Sequence, residues 1–380
     1  MKPQRHRTDI VRIVVTGAEG FIGRNLRVRL REMGHTDVIS VTSASSTTEL
    51  IAALAGADFV YHLAGVNRPK DPAEFATGNT GFTKTLCAAL LANGRRVPVA
   101  YSSSTQAALD NPYGRSKKDA EDALLDYALA TGAGVNVFRL TNVFGKWCRP
   151  HYNSGVATFC HNSARGLPIT VNDAAATLQL VYVDDVVEAL VRLLTAPPHD
   201  AGFAAAGPVH STTVGEVVRT LQGFAESRRS SVVPALGTAL ARALYATYVS
   251  HLPPEAFDYA LRRRVDPRGE SVAMLEAPDC GQLSYFTARP GMTRGEHYHH
   301  SKTERYLVIR GAARFGFRHI DTGQSHEVTV HGGEARVVET VPGWAHDITN
   351  IGNDELIVMA WASEVFDPER PDTVAAKVKA

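Results

Sequence analysis

Cysteine is scarce in this chain. Cys87, Cys148, Cys160 and Cys280 are the only four in 380 residues, and no two have paired spacing. This excludes a disulfide frame and a thiolate zinc cluster, and it predicts reduced, packed thiols in a cytoplasmic protein. Surplus charge is also missing. Forty basic against 39 acidic side chains leave a net charge of +1, which offers no field for nucleic acid or an anionic membrane. No apolar run reaches transmembrane length. The basic start, MKPQRHRTDI, has no apolar stretch behind it of the kind a signal peptide needs, and it reads as a loose tail. What remains is an ordinary soluble composition, 44% hydrophobic and 21% charged, in a chain long enough for two domains.

The most informative stretch is Thr16–Gly23, TGAEGFIG. It lies between a mostly β-branched run, Val11–Val15, and a helix-like segment, Arg24–Glu32. Strand, glycine loop and helix in that order describe the start of a dinucleotide fold. Gly17 allows the turn, Gly20 lets backbone approach a pyrophosphate, and Gly23 lets the helix pack on the strand. The helix N-terminus then offers free N–H groups to phosphate. The second strand, Val38–Val41, ends in Thr42 and Ser43, without the carboxylate that would hold the ribose of NAD. That absence favours NADP, with Arg24 or Ser43 as contacts to a 2′-phosphate.

Further strands are expected over Asp58–Ala64 and Val97–Tyr101, and helices over Glu49–Ala55 and from Asn79 to Leu91. The fourth strand delivers Ser102, Ser103 and Ser104 to the carboxyl edge of the sheet. Tyr113-Gly-Arg-Ser-Lys117 follows on a helix running to Leu129, with the phenol and the ammonium on one face. A lysine one turn from a tyrosine brings the phenol nearer its working range, and a serine opposite holds a substrate oxygen. The pair alone is weak, since it also occurs as an exposed helical contact.

Together with Asp58–Gly65, Phe138–Gly145 and Leu180–Asp185, these motifs resemble the extended short-chain dehydrogenase/reductase family. The resemblance implies a Rossmann α/β domain acting on nucleotide-linked sugars. It implies catalysis by Ser104, Tyr113 and Lys117. It also implies NADP contacts at Gly17, Gly20, Phe21, Ile22, Arg24, Ser43, Leu63, Ala64, Asn79 and Lys117. Only eight residues separate Ser104 from Tyr113, fewer than in many relatives, so the choice among the three serines stays open, with Ser104 favoured. The polar and aromatic segment Lys146–Ser154 begins the expected substrate lobe, where Asn142, Arg149, His151 and Asn153 are candidate sugar-nucleotide contacts. Helices are expected over Val156–Arg165, Asp184–Leu194, Thr213–Phe224 and Ala235–Val249, with Glu226–Ser231 a polar turn. A domain boundary is expected between His251–Pro254 and Val265–Gly269, dividing the chain into 1–255 and 256–380.

From Gly269 on, short β-rich runs alternate with glycine turns, at Gln282–Ala288, Arg305–Ile309, Ala313–His319, His326–Val330, Ala335–Glu339 and Glu355–Trp361. This predicts an antiparallel sandwich or jelly roll. His297 and His299 share a strand face, Glu304 follows, and His346 returns later. Three imidazoles and a carboxylate suit a divalent transition metal, zinc foremost. This half resembles the cupin family, through Gly291, His297, His299, Glu304 and Gly311 in one motif and Gly343, His346 and Asn350 in the other. Pro342 abuts Gly343 where the usual pattern leaves a residue between them, a departure that touches a turn and no ligand.

A reductase followed by a cupin is similar to a family of bifunctional capsule and O-antigen enzymes. That resemblance implies a homodimer acting on a UDP-linked 4-keto-2-acetamido-2,6-dideoxyhexose. The cupin epimerises C3, and the reductase uses NADPH at C4 to give the L-talose product on the route to UDP-N-acetyl-L-fucosamine. His300, Lys302 and Tyr298 are candidate epimerisation bases, although Tyr298 and His300 should point away from the ligand face. Two other readings stay open: a 4-keto-sugar reductase with a structural cupin, and a cofactor-sensing binding protein.

Overall fold

The computed structural model describes residues 12–234 and 236–379. The basic N-terminal stretch lies outside the described residues, as does Ala235, the expected start of a helix. The chain forms two compact units. One holds the residues up to Leu221 with Thr238–Pro253, and the other holds Gln222–Gly237 and everything from Pro254 on.

The first unit is built on a six-stranded parallel sheet. Its order is Val38–Val41, Ile13–Thr16, Phe59–His62, Val99–Ser104, Val135–Leu140 and Ala201–Phe203. Ile13–Thr16 pairs with the second strand on one side and the third on the other. The chain therefore reverses its winding direction there, which opens a crevice at the carboxyl ends of the strands. Strands covered on both faces must be apolar throughout, and Ile13, Val14, Val15, Val60, Tyr61, Val99 and Ala100 are all fully buried. The helix Val183–Thr195 illustrates how the layers close. Val183, Val186, Val187, Leu190 and Val191 recur at helical spacing and are buried. Each such side chain contributes about 1.5–3 kcal/mol relative to exposure.

Several local expectations shift. The helix expected to open at Asn79 starts earlier, at Ala73–Phe75, passes through a π-helical turn, Ala76–Gly81, and continues as Phe82–Ala92. Asn79 is drawn inward there by hydrogen bonds to both backbone groups of Val66. The stretch from Leu140 to Gly145 divides. Val135–Leu140 completes the main sheet, whereas Asn142–Phe144 joins Thr177–Tyr182 and His210–Thr213 in a separate three-stranded sheet. Glu226–Ser231 is not a turn. The helix Val214–Ser230 runs through it, because Glu226 pairs with Arg229 at 2.7 Å and the Ser230 hydroxyl donates to the Glu226 carbonyl.

From Arg263 on, the described residues of the second unit are all-β, as expected, with two antiparallel sheets. One runs Arg263–Asp266, Gly269–Ala277, Gly281–Ala288, Leu356–Ala362, Glu304–Arg310 and Val337–Glu339. The other runs Ser325–His331, Ala312–His319, Trp344–Asn350, Thr293–Tyr298 and Val374–Ala375. Inward residues of both sheets, among them Val308, Leu356, Val358, Ala313, Phe315 and Ile348, form one core. Among the described residues from Arg263 on there is no helix. The Val265–Gly269 stretch is a hairpin, with Asp266 opposite Gly269 across Pro267 and Arg268.

Candidate active site and metal centre

The crevice of the first unit is a cleft of about 1230 Å³. Its floor is the glycine loop. Gly17 has φ +66°, and a Cβ there would stand 2.6 Å from the Ala64 backbone nitrogen, so this crossing tolerates no side chain. Gly20, Phe21, Ile22, Arg24, Ser43, Leu63 and Ala64 also line the cleft, opposite Ser104, Tyr113, Lys117, Asn142, Arg149 and Asn153. Two expected contacts do not line it. Asn79 is 2% exposed, and its side chain is fully engaged with Val66 and the Ser116 hydroxyl. His151 is exposed in a left-handed turn (φ 55°), with its ring edge-on to His161 at 5.3 Å.

The helix that carries the Tyr-Lys pair is Pro112–Thr131. Asn111 caps it by accepting from the Gly114 N–H at 2.8 Å, and Pro112 takes the first turn. Geometry distinguishes the three serines. The Ser103 hydroxyl donates to Glu121 at 2.5 Å and is engaged there. Ser102 donates weakly to the His62 carbonyl at 3.5 Å. Ser104 accepts from the Gln106 N–H at 3.2 Å and is the hydroxyl bonded to Tyr113. Lys117 is buried, and its ammonium donates to the Ser102 carbonyl at 2.9 Å and lies 4.9 Å from the Tyr101 ring centroid. A Cβ on Gly65 would reach within 3.0 Å of that ammonium, so the glycine makes room for it.

The electrostatics run against the expected lysine effect. Burial pushes the Tyr113 phenol up, and only the Ser104 hydroxyl opposes it. The structure therefore favours the protonated phenol, the form that can donate. Burial pushes Lys117 down to about 8, against the attraction of Glu121. Glu121 is a residue that sequence reasoning missed. It is completely buried and is gripped by Arg139 through Nε at 3.0 Å and Nη2 at 2.7 Å. It lies one further turn along the face that carries Tyr113 and Lys117, which was the available signal. His62, also missed, bridges the Thr16 and Thr83 hydroxyls at 2.8 Å each. Burial, then Lys117, hold it down at about 3, so it stays neutral.

In the second unit, His297, His299, Glu304 and His346 place one donor atom each within 4.8 Å of one another. His297 pairs across the sheet with His346. The register skips Glu296, whose φ is 61°, and this bulge aims His297 and His299 at one point. Glu304 arrives from the other sheet, so the group spans the sandwich. His346 is 2% exposed, yet neither ring nitrogen has a hydrogen-bond partner; its Nε2 stands 3.5 Å from Glu304 Oε2. A buried imidazole without a partner, facing two others and a carboxylate, fits a divalent transition metal. Burial, then His346 and His299, push His297 down to about 4, which favours the neutral, ligating form. Burial pushes Glu304 up, but His299, His346, Lys302 and Tyr306 outweigh it and hold the carboxyl far below its ordinary range.

The candidate bases separate. Lys302 is buried, and its Nζ lies 3.2 Å from Glu304 Oε1. His300 is exposed, with its ring 5.2 Å from that of Tyr298. The structure does not bring His300 into the cluster, because it lies beyond the strand end at Tyr298, in an exposed bend whose His300 N–H is held by the Asp372 carboxylate.

Residues 13–203 match the NAD dependent epimerase/dehydratase family, and residues 264–374 match the polysaccharide biosynthesis C-terminal domain. The chain is 50% identical over 368 residues to a Pseudomonas aeruginosa protein named UDP-2-acetamido-2,6-β-L-arabino-hexul-4-ose reductase, covering 97% of this chain and 99% of that one. It is similar in structure to the capsular polysaccharide assembling protein CapF of Staphylococcus aureus, with TM-score 0.90 and 40% identity over 97% of this chain and 100% of the other. A Bordetella bronchiseptica enzyme, WbmF, solved with NAD+ and UDP, shares the fold of the first part at 21% identity and TM-score 0.53, over 63% of this chain and 92% of its own. By identity and coverage along nearly its whole length, the chain belongs to the CapF family of polysaccharide-biosynthesis proteins, which join an epimerase/dehydratase-type domain to an all-β C-terminal domain.

Proposed function

We propose that the first unit reduces the C4 ketone of a UDP-linked 4-keto-2-acetamido-2,6-dideoxyhexose with NADPH. The second unit, read as a cupin holding zinc, first epimerises C3 of the same sugar. The product is then UDP-2-acetamido-2,6-dideoxy-L-talose, on the route to UDP-N-acetyl-L-fucosamine. The observation that carries this reading is the meeting of Ser104, Tyr113 and Lys117 with the glycine loop in one cleft. The names of the P. aeruginosa relative, a keto-sugar nucleotide reductase, and of CapF, a capsule-assembly protein, support the substrate class.

The cleft over the glycine loop would hold a nicotinamide cofactor, which would supply the hydride for C4. Tyr113 donates its proton to the oxygen, and Ser104 hydrogen-bonds the same oxygen. Lys117, steadied by the Ser102 carbonyl, keeps a positive charge beside the phenolate left behind. Thr42 and Ser43 at the cleft wall leave room for a 2′-phosphate, which supports NADP. In the second unit the C4 ketone acidifies the C3 proton; Lys302 would accept it only as the neutral amine, after its ammonium has given up a proton, and water would return a proton to the opposite face of C3. His297, His299, Glu304 and His346 would hold a divalent metal, which would supply a positive charge to polarise the ketone.

Purified full-length chain is expected to oxidise NADPH with the UDP-4-keto sugar and not with UDP-N-acetylglucosamine. Failure with keto sugars of both C3 configurations contradicts the reading. The pH dependence has a defined sign. Lys117 is charged below a value of about 8 and loses its charge above it. The kcat/KM for reduction should therefore fall as pH rises through that range. Glu121→Gln removes the opposing negative charge and should move the fall to lower pH. A flat profile, or an unmoved fall in the variant, counts against Lys117 as the charged partner.

A further inference from the structure

The C-terminal segment of the second unit runs along the proposed metal centre. Val374–Ala375 pairs antiparallel with Tyr298 and His297, and the Ala376 N–H donates to the Glu296 carbonyl at 2.9 Å. Arg318 holds the same segment further on, through two bonds to the Lys377 carbonyl. At its head sits Asp372. One carboxylate oxygen accepts from the His300 N–H at 2.8 Å. The other accepts from the N–H groups of Ser301 and Lys302, at 2.7 and 2.8 Å, and from the Ser301 hydroxyl at 2.9 Å. The backbone carbonyl of the same residue accepts from Nδ1 of His299.

We propose that Asp372 is a positioning residue of the metal centre. Its side chain fixes the loop that joins the ligands His299 and Glu304, and its carbonyl sets the tautomer and ring plane of His299. This inference rests on reading the four-residue cluster as a metal site. The chemistry follows from the partners. A carbonyl oxygen can only accept, so Nδ1 of His299 must carry the proton. Nε2 is then left with its lone pair free, aimed at Glu304 Oε2 3.3 Å away. The three N–H groups on the carboxylate lie in successive residues of the loop, and the last of them belongs to Lys302. One residue of the C-terminal segment thus orients a ligand through its carbonyl and anchors the backbone of the proposed base through its side chain. The N–H groups of His300 and Lys302 hold the Asp372 carboxyl well below the usual range, so it accepts these bonds as a full anion.

The test uses the full-length chain titrated with Co²⁺ against a chelator, with the visible spectrum as a second readout. Asp372→Ala is expected to weaken Co²⁺ binding by about 10–100-fold and to alter the ligand-field bands, while NADPH binding in the first unit stays unchanged. Asp372→Asn keeps the shape and an acceptor oxygen and should lose less; it serves if the alanine variant does not fold. A variant that melts earlier but keeps wild-type affinity and bands makes Asp372 a stabilising contact only and overturns the inference. If the unmodified chain takes up no Co²⁺, the metal reading falls and the inference falls with it.

Discussion

Tyr113→Phe is expected to reduce NADPH-dependent reduction by about 10²–10⁴-fold, the usual contribution of a positioned proton donor. Proton exchange at C3 should continue. The ring stays, so the packing against Phe75 at 5.4 Å survives, and only the hydroxyl bonded to Ser104 is lost. The helix is held independently by its Asn111 cap and by the Lys117 bond to the Ser102 carbonyl. A fall in rate therefore reports chemistry and not unfolding. Exchange is read by NMR in heavy water, with NADPH oxidation followed in parallel. Loss of both activities in a folded variant would contradict the division of labour between the two units.

The second large effect is expected from the double variant His297→Ala, His299→Ala. Two of four donors disappear, and metal affinity should fall by more than the roughly 100-fold that changes to outlying partners cost. Epimerisation should fall to background, while NADPH oxidation with pre-epimerised keto sugar remains. Metal content by elemental analysis and the two rates measured separately check this. No change in either rate would make the cluster structural and favour a simple reductase.

The parts legible in the sequence are those whose chemistry is local. The glycine loop, the Tyr113–Lys117 pair and the two histidines two apart are read from backbone periodicity; the first two line one cleft and the histidines join one cluster, with His299 just past the strand end. The fold class followed from the change of texture near Gly269. What escaped depends on distant partners. Glu121 matters because Arg139 and Ser103 converge on it from neighbouring strands, and Asp372 because it folds back some seventy residues onto the His299 loop. Asn79 reads as a cofactor contact until its amide is seen to be consumed by Val66 and Ser116. His151 reads as a sugar contact, yet its ring meets His161 and is not among the residues that line the cleft. Glu226–Ser231 reads as a turn from its polarity, yet the same charges pair along a helix.

The central claim is that two chemistries at adjacent carbons of one sugar belong to one chain. The direct measurement is the isotope pattern of the product after the full-length chain acts on the UDP-4-keto sugar in heavy water with unlabelled NADPH. The account predicts deuterium at C3 with inverted configuration and ordinary hydrogen at C4. Ordinary hydrogen at both positions with C3 configuration retained would contradict it.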